Sequence, residues 1–220
     1  MKYQPNNLPK LLITAGPTWE PIDAVRYLAN RSSGLMGLKI AKSALNRAWP
    51  TTLLLGPTSL PLPYNSQLTL KRFQTTSDLQ GLLNDHFPSC DILIMAAAVA
   101  DFRPKTAVLD AKLKRTKNPL NLELEPTPDL IQLISSNAKP HQTVIGFALE
   151  AAENLLESAQ KKLESKQLDA IVANSLETMG SNEIEATLIL KDGKTLRPDK
   201  KLSKSEFADW LLDEVENMRP

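Results

Sequence analysis

The sequence has few of the side chains that form covalent cross-links or bind metals. Its 220 residues contain a single cysteine, Cys90, and two histidines. One cysteine excludes an internal disulfide, and together with two histidines it cannot supply the ligand spacings of the usual zinc sites. A chain of this length buries about 70% of the surface that its unfolded form exposes, so it needs neither a disulfide nor a structural metal to fold. Any catalysis must therefore depend on other side chains.

An excess of charge and long apolar runs are also missing. The 26 basic and 25 acidic residues give a net charge of +1, which does not favour nucleic acid or an anionic membrane surface as a partner. No run of about 18 apolar residues occurs. The polar start, MKYQPNNLPK, lacks the apolar segment of a secretory signal. We therefore expect a cytoplasmic protein with neither nucleic-acid nor membrane partners.

Strand-like and helix-like patterns alternate along most of the chain. Short runs rich in Leu, Ile and Val, typical of buried parallel strands, occupy residues 11–15, 52–55, 91–98, 144–148 and 170–173. Helical spacing of apolar residues occurs at 35–48, 76–87, 128–137 and 151–166. This alternation predicts a Rossmann-like α/β fold with a doubly wound, mostly parallel sheet. We expect one domain, residues 11–220, after a leader of residues 1–10.

The last part of the chain departs from this alternation. The β-prone residues 185–190 and 195–197 flank Asp192-Gly193, a hairpin turn signal, and a helical pattern follows at 204–217. A hairpin outside the parallel sheet would expose strand edges and apolar faces unless a second copy of the chain covered them.

Two long connections follow predicted strands, at residues 16–37 and 96–115. Ligand loops of an open α/β sheet lie there, beyond the carboxyl ends of the strands. In the first connection, Ser32-Ser33-Gly34 precedes a predicted helix. Serine is a good N-cap, glycine permits close approach, and the free N–H groups of a helix start suit a phosphate. The alternative is a capped helix that binds nothing, and the glycine fingerprint of dinucleotide-binding proteins is absent.

Two groups of basic residues could bind an anionic ligand. Lys112, Lys114 and Arg115 form a compact cluster in the second connection, which suits a polyphosphate or is simply a solvated loop. Lys162 and Lys166 lie within about 60° of the apolar face of their predicted helix. We interpret these two lysines as directed toward a ligand, with snorkelling along the edge of that face as the alternative.

Several motifs occur in a fixed order over most of the chain. The first connection contains Ile13-Thr14-Ala15-Gly16-Pro17-Thr18, Glu20-Pro21-Ile22-Asp23, Val25-Arg26-Tyr27, Asn30, Ser32-Ser33-Gly34 and Met36-Gly37. Later motifs are Ala97-Ala98-Val99-Ala100-Asp101-Phe102, Lys112-Leu113-Lys114, Thr127-Pro128-Asp129-Leu130, Gly146-Phe147-Ala148 with Glu150, and the segment 169–174. Together they resemble the bacterial, CTP-dependent phosphopantothenate-cysteine ligase family.

The resemblance implies an activity in coenzyme A biosynthesis. In this family the carboxylate of 4'-phosphopantothenate attacks the α-phosphorus of CTP, which releases pyrophosphate and leaves an acyl-cytidylate. The amino group of cysteine then displaces CMP and gives 4'-phosphopantothenoylcysteine. Lysines and amide donors suit the charge that develops in both steps. The resemblance also implies Mg²⁺ with the CTP and a homodimer, with residues 182–197 and the loops near Arg26 as candidate contacts. We expect no flavin, because the chain has no room for the flavin-dependent decarboxylase that many relatives carry.

The resemblance assigns site residues by their position in the motifs. Lys112 would bind the triphosphate and help form the acyl-cytidylate, Asn30 would act in the onward reaction, and Arg26 would lie near phosphopantothenate. Contacts with CTP are implied for Met95, Ala96, Ala97, Asp101, Lys112, Thr127, Pro128, Asp129, Leu130, Phe147, Lys162 and Lys166. Contacts with the other substrates are implied for Gly16, Asn30, Ser32, Ser33, Gly34, Ala97 and Ala98. The metal ligands stay open.

A few positions depart from the family pattern. Met179-Gly180 replaces an expected Phe-Gly, Leu149-Glu150-Ala151 replaces Ala-Glu-Thr, and Trp19 occupies a position that is often charged. None of these removes a proposed catalytic group. Many bacterial relatives carry the ligase after a flavin-dependent decarboxylase. Since ten residues precede the first predicted strand, we expect a stand-alone ligase or an excised domain.

Two other functions are compatible with the fold. A nicotinamide-dependent oxidoreductase would share the alternating pattern, but the sequence lacks the glycine fingerprint and a Tyr-x-x-x-Lys pair. A non-catalytic nucleotide-binding module is the other alternative, since a fold can persist without catalysis. The presence of Asn30 and Lys112 argues against it.

The nucleotide is a separate question. Relatives of the family in other lineages use ATP, and the bacterial-like Lys112-Leu113-Lys114 element favours CTP.

Overall fold

The computed structural model describes residues 8–107, 110–115, 117–178 and 180–218. The described strands are β1 (Leu11–Ala15), β2 (Trp19–Pro21), β3 (Tyr27–Ala29), β4 (Thr51–Leu55), β5 (Leu68–Arg72), β6 (Ile92–Met95), β7 (Phe102–Pro104), β8 (Leu124–Pro126), β9 (Thr143–Glu150), β10 (Ala170–Ser175), β11 (Glu183–Ile184), β12 (Ala186–Leu190), β13 (Thr195–Leu196) and β14 (Leu202–Ser203). The described α-helices are α1 (Leu35–Asn46), α2 (Thr76–His86), α3 (Leu130–Ser135), α4 (Leu155–Ser165) and α5 (Lys204–Asn217).

Eight of the described strands form a central sheet in the order β13-β12-β10-β9-β6-β1-β4-β5. Neighbours from β5 to β10 pair in parallel, and β12 and β13 are antiparallel additions at one edge. The chain builds outward from β1 to β4 and β5, then returns to place β6 on the other side of β1. This reversal of strand order between β1 and β6 leaves a crevice at the carboxyl ends of the two strands.

The side chains of each buried strand alternate between two cores on opposite faces of the sheet. Leu11 and Ile13 join a core covered by α1 and α5, whereas Leu12 joins a core covered by α2, α3 and α4. Helices on both faces explain why the central strands are mostly apolar, since neither face meets water. The structure therefore confirms the predicted doubly wound α/β fold. No helix in the described ranges is long and apolar enough to cross a membrane.

The element boundaries differ from the predictions where polar or small residues intervene. Strand β6 ends at Met95, although the apolar run continues to residue 98, because the following alanines leave the regular sheet. Strand β5 was not predicted. It is an edge strand whose side chains are all at least partly exposed, and it ends in Lys71 and Arg72, so it lacks the apolar run of an inner strand.

The predicted C-terminal hairpin forms, but it lies within the sheet. Strand β12 pairs antiparallel with β10, with Ala170 opposite Leu190 and Asn174 opposite Ala186. Leu188 is buried in the core under α5, and Ile189 is buried in the opposite core. The expectation that this hairpin exposes apolar faces was wrong, because its own sheet and helices cover them. Exposed faces here therefore give no reason for a dimer contact.

Helix α1 approaches the end of β1 more closely than side chains at two glycines would permit. Gly34 has φ +78°, and a Cβ there would lie 3.2 Å from Cα of Gly16. A Cβ on Gly37 would lie 2.4 Å from Cβ of Ala15, well inside van der Waals contact. The absence of these two side chains lets the start of α1 lie directly against the carboxyl end of β1.

Two helical glycines provide a matched test of this packing. Gly37→Ala should lower the free energy of unfolding by about 1–3 kcal/mol, as overpacking of a filled site does. Gly81→Ala, in α2, should raise it by up to about 1 kcal/mol, because a Cβ on Gly81 meets nothing within 4 Å and alanine favours the helix. Urea unfolding of both variants measures these changes, and equal stabilisation by both would contradict the close approach of α1.

Candidate functional site

A cleft of about 1350 Å³ opens at the carboxyl ends of β1, β6 and β9. Its walls include residues 30–37, 95–101 and 127–131, together with side chains from β9, α4 and α5. The cleft lies where the strand order reverses, between β1 and β6. In open α/β sheets this is the position at which ligands bind.

Hydrogen bonds fix the small residues after β6 against the continuation of β1. The Ala97 N–H donates to Thr14 Oγ1 at 3.1 Å, and the Ala98 N–H donates to the Gly16 carbonyl at 2.9 Å. The Ala100 N–H donates to Thr18 Oγ1 at 3.0 Å. Both threonines are fully buried. The alanine run is therefore a fixed surface on which a ligand can approach the backbone closely.

The start of α1 forms the wall opposite this run. Asn30 Nδ2 donates to the Val99 carbonyl at 2.9 Å and links the two walls. The N-cap of α1 is Gly34, with no side-chain cap, so the expected serine N-cap was wrong. The left-handed backbone and the contact with Gly16 favour glycine at this position. The hydroxyls of Ser32 and Ser33 instead accept the Gly34 and Leu35 N–H groups, each at 3.3 Å.

Both lysines selected by helix geometry line the cleft, and each pairs with a carboxylate. Lys162 pairs with Glu150, and its ammonium group lowers the pKa of that carboxyl. Lys166 lies 2.9 Å from Oδ2 of Asp129, which also caps α3. The prediction that both lysines face the ligand cleft thus agrees with their positions. An anionic ligand would have to share them with these carboxylates, and its contact with them stays a prediction.

Most of the predicted site residues line this one cleft. They are Asn30, Ser32, Ser33, Gly34, Met95, Ala96, Ala97, Ala98, Asp101, Thr127, Pro128, Asp129, Leu130, Phe147, Lys162 and Lys166. Gly16, Arg26 and Lys112 are not part of its lining. Gly16 supports Gly34 from below, while Arg26 and Lys112 belong to two neighbouring segments outside the cleft.

Several residues that line the cleft were not among the site residues predicted from the sequence. They are Arg31, Leu35, Met36, Gly37, Val99, Ala100, Ile131, Leu149, Asn174, Thr178, Gly180, Ile184 and Lys204. Asn174 donates from Nδ2 to Thr178 Oγ1 at 2.8 Å, which fixes its orientation at the end of β10. Met179, where the sequence departs from the family pattern, lies outside the described residues. One sequence signal could have pointed to Lys204. The capping box formed by Ser203 and Glu206 marks the start of α5, so it places this lysine in the first turn of the helix.

Lys204 is an unfavourable residue for its position in the helix. It is partly buried, and burial lowers the pKa of its ammonium group. It also adds positive charge to the positive end of the α5 dipole. Within the described ranges, no carboxylate lies within ion-pair distance of its Nζ. An anion bound in the cleft would offset all of these unfavourable effects.

Removal of this charge should therefore stabilise the protein without its ligand. We expect Lys204→Met to raise the free energy of unfolding by about 0.3–1 kcal/mol, the typical helix-dipole contribution. Since burial depresses the folded-state pKa, the gain should be full at neutral pH and should shrink as alkaline pH deprotonates Lys204 in the folded protein. Urea unfolding at several pH values measures it, with Lys42→Met on the exposed side of α1 as the control. A destabilised Lys204→Met protein would contradict this interpretation.

The fold and the cleft define a class, the doubly wound α/β domains that bind a ligand at the reversal of strand order. Residues 7–218 match the family described as DNA/pantothenate metabolism flavoprotein C-terminal domain. The chain belongs to this family.

Comparison with individual proteins agrees with the family assignment. The chain is 39% identical over 215 residues to a cysteine/cysteine sulfinic acid decarboxylase of an unknown prokaryotic organism, with 96% of the chain and 59% of that protein covered. It is 36% identical over 227 residues to the coenzyme A biosynthesis bifunctional protein CoaBC of Thermococcus kodakarensis, with 99% of the chain and 54% of that protein covered. The chain thus spans little more than half the length of these curated relatives.

A solved structure covers the same region. The crystal structure of the C-terminal domain of the bifunctional protein CoaBC matches with a TM-score of 0.80 and 35% sequence identity. The match covers 96% of this chain and 95% of that domain. The similarity therefore extends over the whole fold described above, including the segments that form the cleft.

Proposed function

We propose that this chain is a CTP-dependent phosphopantothenate-cysteine ligase, which forms 4'-phosphopantothenoylcysteine in coenzyme A biosynthesis. The observation that carries the proposal is the cleft itself. Most of the residues assigned to CTP and the other substrates by the family motifs come from segments far apart in the sequence, and they line one cavity; Gly16, Arg26 and Lys112 lie outside it. The names of the CoaBC relatives, which place those proteins in coenzyme A biosynthesis, support the same reaction.

In the first step, a carboxylate oxygen of 4'-phosphopantothenate attacks the α-phosphorus of CTP, and pyrophosphate leaves. Negative charge builds up on the phosphates, so the ligand needs cations and N–H donors nearby. In our proposal Lys112 supplies a cation to the triphosphate. The N–H groups of Met36 and Gly37, in the first turn of α1, offer a second anion-binding element.

In the second step, the amino group of cysteine attacks the acyl carbonyl carbon, and CMP leaves as the C–O bond to phosphate breaks. In our proposal Asn30 orients this step. Its Nδ2 is held by the Val99 carbonyl, which fixes the side chain at the mouth of the cleft. An asparagine can bind a carbonyl oxygen or an amine without adding charge. No covalent nucleophile from the protein is required.

The nucleotide end of the cleft is assigned to the region around Phe147, Lys162 and Lys166. Phe147 offers an aromatic side chain to the cleft, and the two lysines line the same cleft one turn apart at the C-terminal end of α4. Mg²⁺ would arrive bound to the nucleotide phosphates. Among the described residues, no group of three or more His, Cys, Asp or Glu side chains is placed to hold a metal ion. The proposed function needs no flavin.

We also propose a homodimer, with its contact at a different surface from the hairpin. Large apolar side chains are exposed around the β2–β3 turn and the start of β7, where Val25 is 60%, Tyr27 45% and Phe102 51% exposed. A self-complementary apolar patch of this kind forms a two-fold interface at little cost. In such a dimer Arg26, on the same turn, could reach the substrate of the neighbouring subunit.

The reaction can be tested by pyrophosphate release from CTP and 4'-phosphopantothenate, measured with and without cysteine. We expect release with CTP to exceed release with ATP. Lys112→Gln should reduce it by about 10²-fold or more, because the triphosphate loses a cation in the transition state.

The matched control is Lys42→Gln, which removes an exposed lysine from the middle of α1, away from the cleft. It should release pyrophosphate at the wild-type rate. Wild-type release by Lys112→Gln would remove this lysine from the mechanism. Absence of release by the wild-type protein with either nucleotide would refute the ligase itself.

The dimer surface gives a separate prediction. Val25→Asp should shift the mass measured by light scattering from dimer toward monomer at micromolar concentration, because it places charge in the apolar patch. Activity should fall with the dimer population if Arg26 acts across the interface. Leu133→Asp, at a leucine of α3 that is 47% exposed, should leave the mass unchanged. A fully active wild-type monomer would overturn both the dimer and the shared site.

A further inference from the structure

Asp23 is a buried carboxylate in the loop between β2 and β3, outside the cleft. Its side chain has no exposed surface, although it carries a charge. The Val25 and Arg26 N–H groups donate to Oδ1 at 2.9 and 2.8 Å. Ionised carboxylates are rarely buried unless several donors surround them. The groups that bind the other carboxylate oxygen, Oδ2, therefore indicate the structural role of the buried Asp23 side chain.

The second carboxylate oxygen of Asp23 holds the side chain of Arg26. Arg26 Nε donates to Oδ2 at 2.9 Å, and Nη2 also pairs with this oxygen. The guanidinium group keeps the pKa of Asp23 far below its usual value, so the carboxylate stays ionised at neutral pH. The Arg26 side chain is nevertheless 43% exposed. It is thus oriented from one side and open to a ligand from the other.

The same oxygen also binds the segment that contains Lys112. The Leu113 N–H donates to Oδ2 of Asp23 at 3.0 Å, and Arg26 Nη2 donates to the Leu113 carbonyl at 3.1 Å. One residue before Lys112, the Ala111 carbonyl accepts the N–H of Ala24 at 3.2 Å. The backbone of Lys112 is therefore fixed on both sides, while its side chain is exposed.

We propose that Asp23 is a positioning residue, which couples Arg26 and Lys112 so that the two act as one unit. The inference rests on the proposed ligase function for the roles of Arg26 and Lys112, but the coupling itself is a property of the fold. One carboxylate oxygen accepts from the arginine and from the lysine-bearing segment at once. Displacement of either partner from Asp23 therefore disturbs the other.

The hydrogen bonds at Asp23 require a carboxylate at this position. All of the groups that bind the Asp23 side chain are N–H donors, and both oxygens of an ionised carboxylate accept hydrogen bonds. In Asp23→Asn, one of the two oxygens becomes an NH₂ group. Whichever way the amide is oriented, a donor then faces either Arg26 and the Leu113 N–H, or the Val25 and Arg26 N–H groups. The variant has nearly the same shape but cannot satisfy the whole set.

Trypsin provides a direct measure of the coupling that needs no substrate. Lys112, Lys114, Arg115 and Lys117 are exposed cleavage sites around the segment held by Asp23. Under native conditions, Asp23→Asn should raise the cleavage rate at these sites by about tenfold or more, because cleavage follows the population in which the segment has detached. Mass spectrometry of the fragments identifies the sites.

Glu20→Gln is the matched control. Glu20 is also a buried carboxylate of the same region, and it accepts from the Thr76 N–H at 2.8 Å and from Thr76 Oγ1 at 2.7 Å. None of its described hydrogen bonds reaches residues 111–113. Cleavage at residues 112–117 should stay within about twofold of wild type in this variant. Wild-type cleavage of Asp23→Asn, or equal acceleration in both variants, would overturn the proposal.

Kinetics separates positioning from a general loss of structure. Asp23→Asn should lower kcat for pyrophosphate release by about tenfold or more, with the KM for CTP nearly unchanged, because the other CTP contacts lie in the cleft. The double variant with Lys112→Gln should lose less activity than the product of the two single losses, since both changes remove the contribution of Lys112. Additive losses would contradict the coupling.

A second variant covers the case in which Asp23→Asn does not fold. Arg26→Gln changes an exposed side chain, and it leaves the bond from Leu113 to Asp23 intact. It should still speed cleavage at residues 112–117, by less than Asp23→Asn would, because one of the bonds to this segment is lost. An unchanged rate would overturn the proposal. If the wild-type protein released no pyrophosphate, the ligase function would fail, and the protease experiment would still decide the coupling.

Discussion

The close approach of α1 to the carboxyl end of β1 is the constraint on which the rest of the site depends. Gly34 and Gly37 leave no room for a Cβ against Gly16 and Ala15. This contact fixes where α1 begins, and hence where its N–H groups point. The buried hydroxyls of Thr14 and Thr18 then hold the alanine run at the opposite wall. Both walls of the cleft are thus positioned from β1 and the residues that directly follow it, so we expect a change of one methyl group at this contact to affect ligand binding as well as stability.

The sequence predicted most of the layered fold because its main signals are local. Apolar runs marked the inner strands, and helical periodicity placed Lys162 and Lys166 on the face that meets the cleft. Strand β5 was missed because an edge strand needs no apolar run. The hairpin turn at Asp192-Gly193 was recognised, but a turn signal specifies only local pairing. It could not indicate that β12 also pairs with β10.

The site could be predicted only where motifs or periodicity marked it. The hydrogen bonds of Asp23 to Arg26 lie within one turn, but its bond to Leu113 joins residues 90 positions apart. No local pattern encodes that bond. Lys204 was missed for a similar reason, since it enters the cleft only because α5 packs alongside α1 in the same direction, with Ser43 bonded to Asp209 and Arg47 paired to Asp213. The connection from β1 to α1 also contains the β2–β3 hairpin. A nicotinamide enzyme of the usual type has a tight glycine turn there.

The two edges of the central sheet disfavour pairing with the sheet of a second molecule. One edge is β5, which ends in Lys71 and Arg72, and the other is β13, a strand of two residues. Charged or very short edge strands discourage a neighbouring sheet from pairing with them. Growth of the sheet from one molecule into the next is therefore disfavoured on both sides. In the dimer that we propose, association would use the loops at the carboxyl end, so recognition between copies and recognition of small ligands would occur on the same side of the protein.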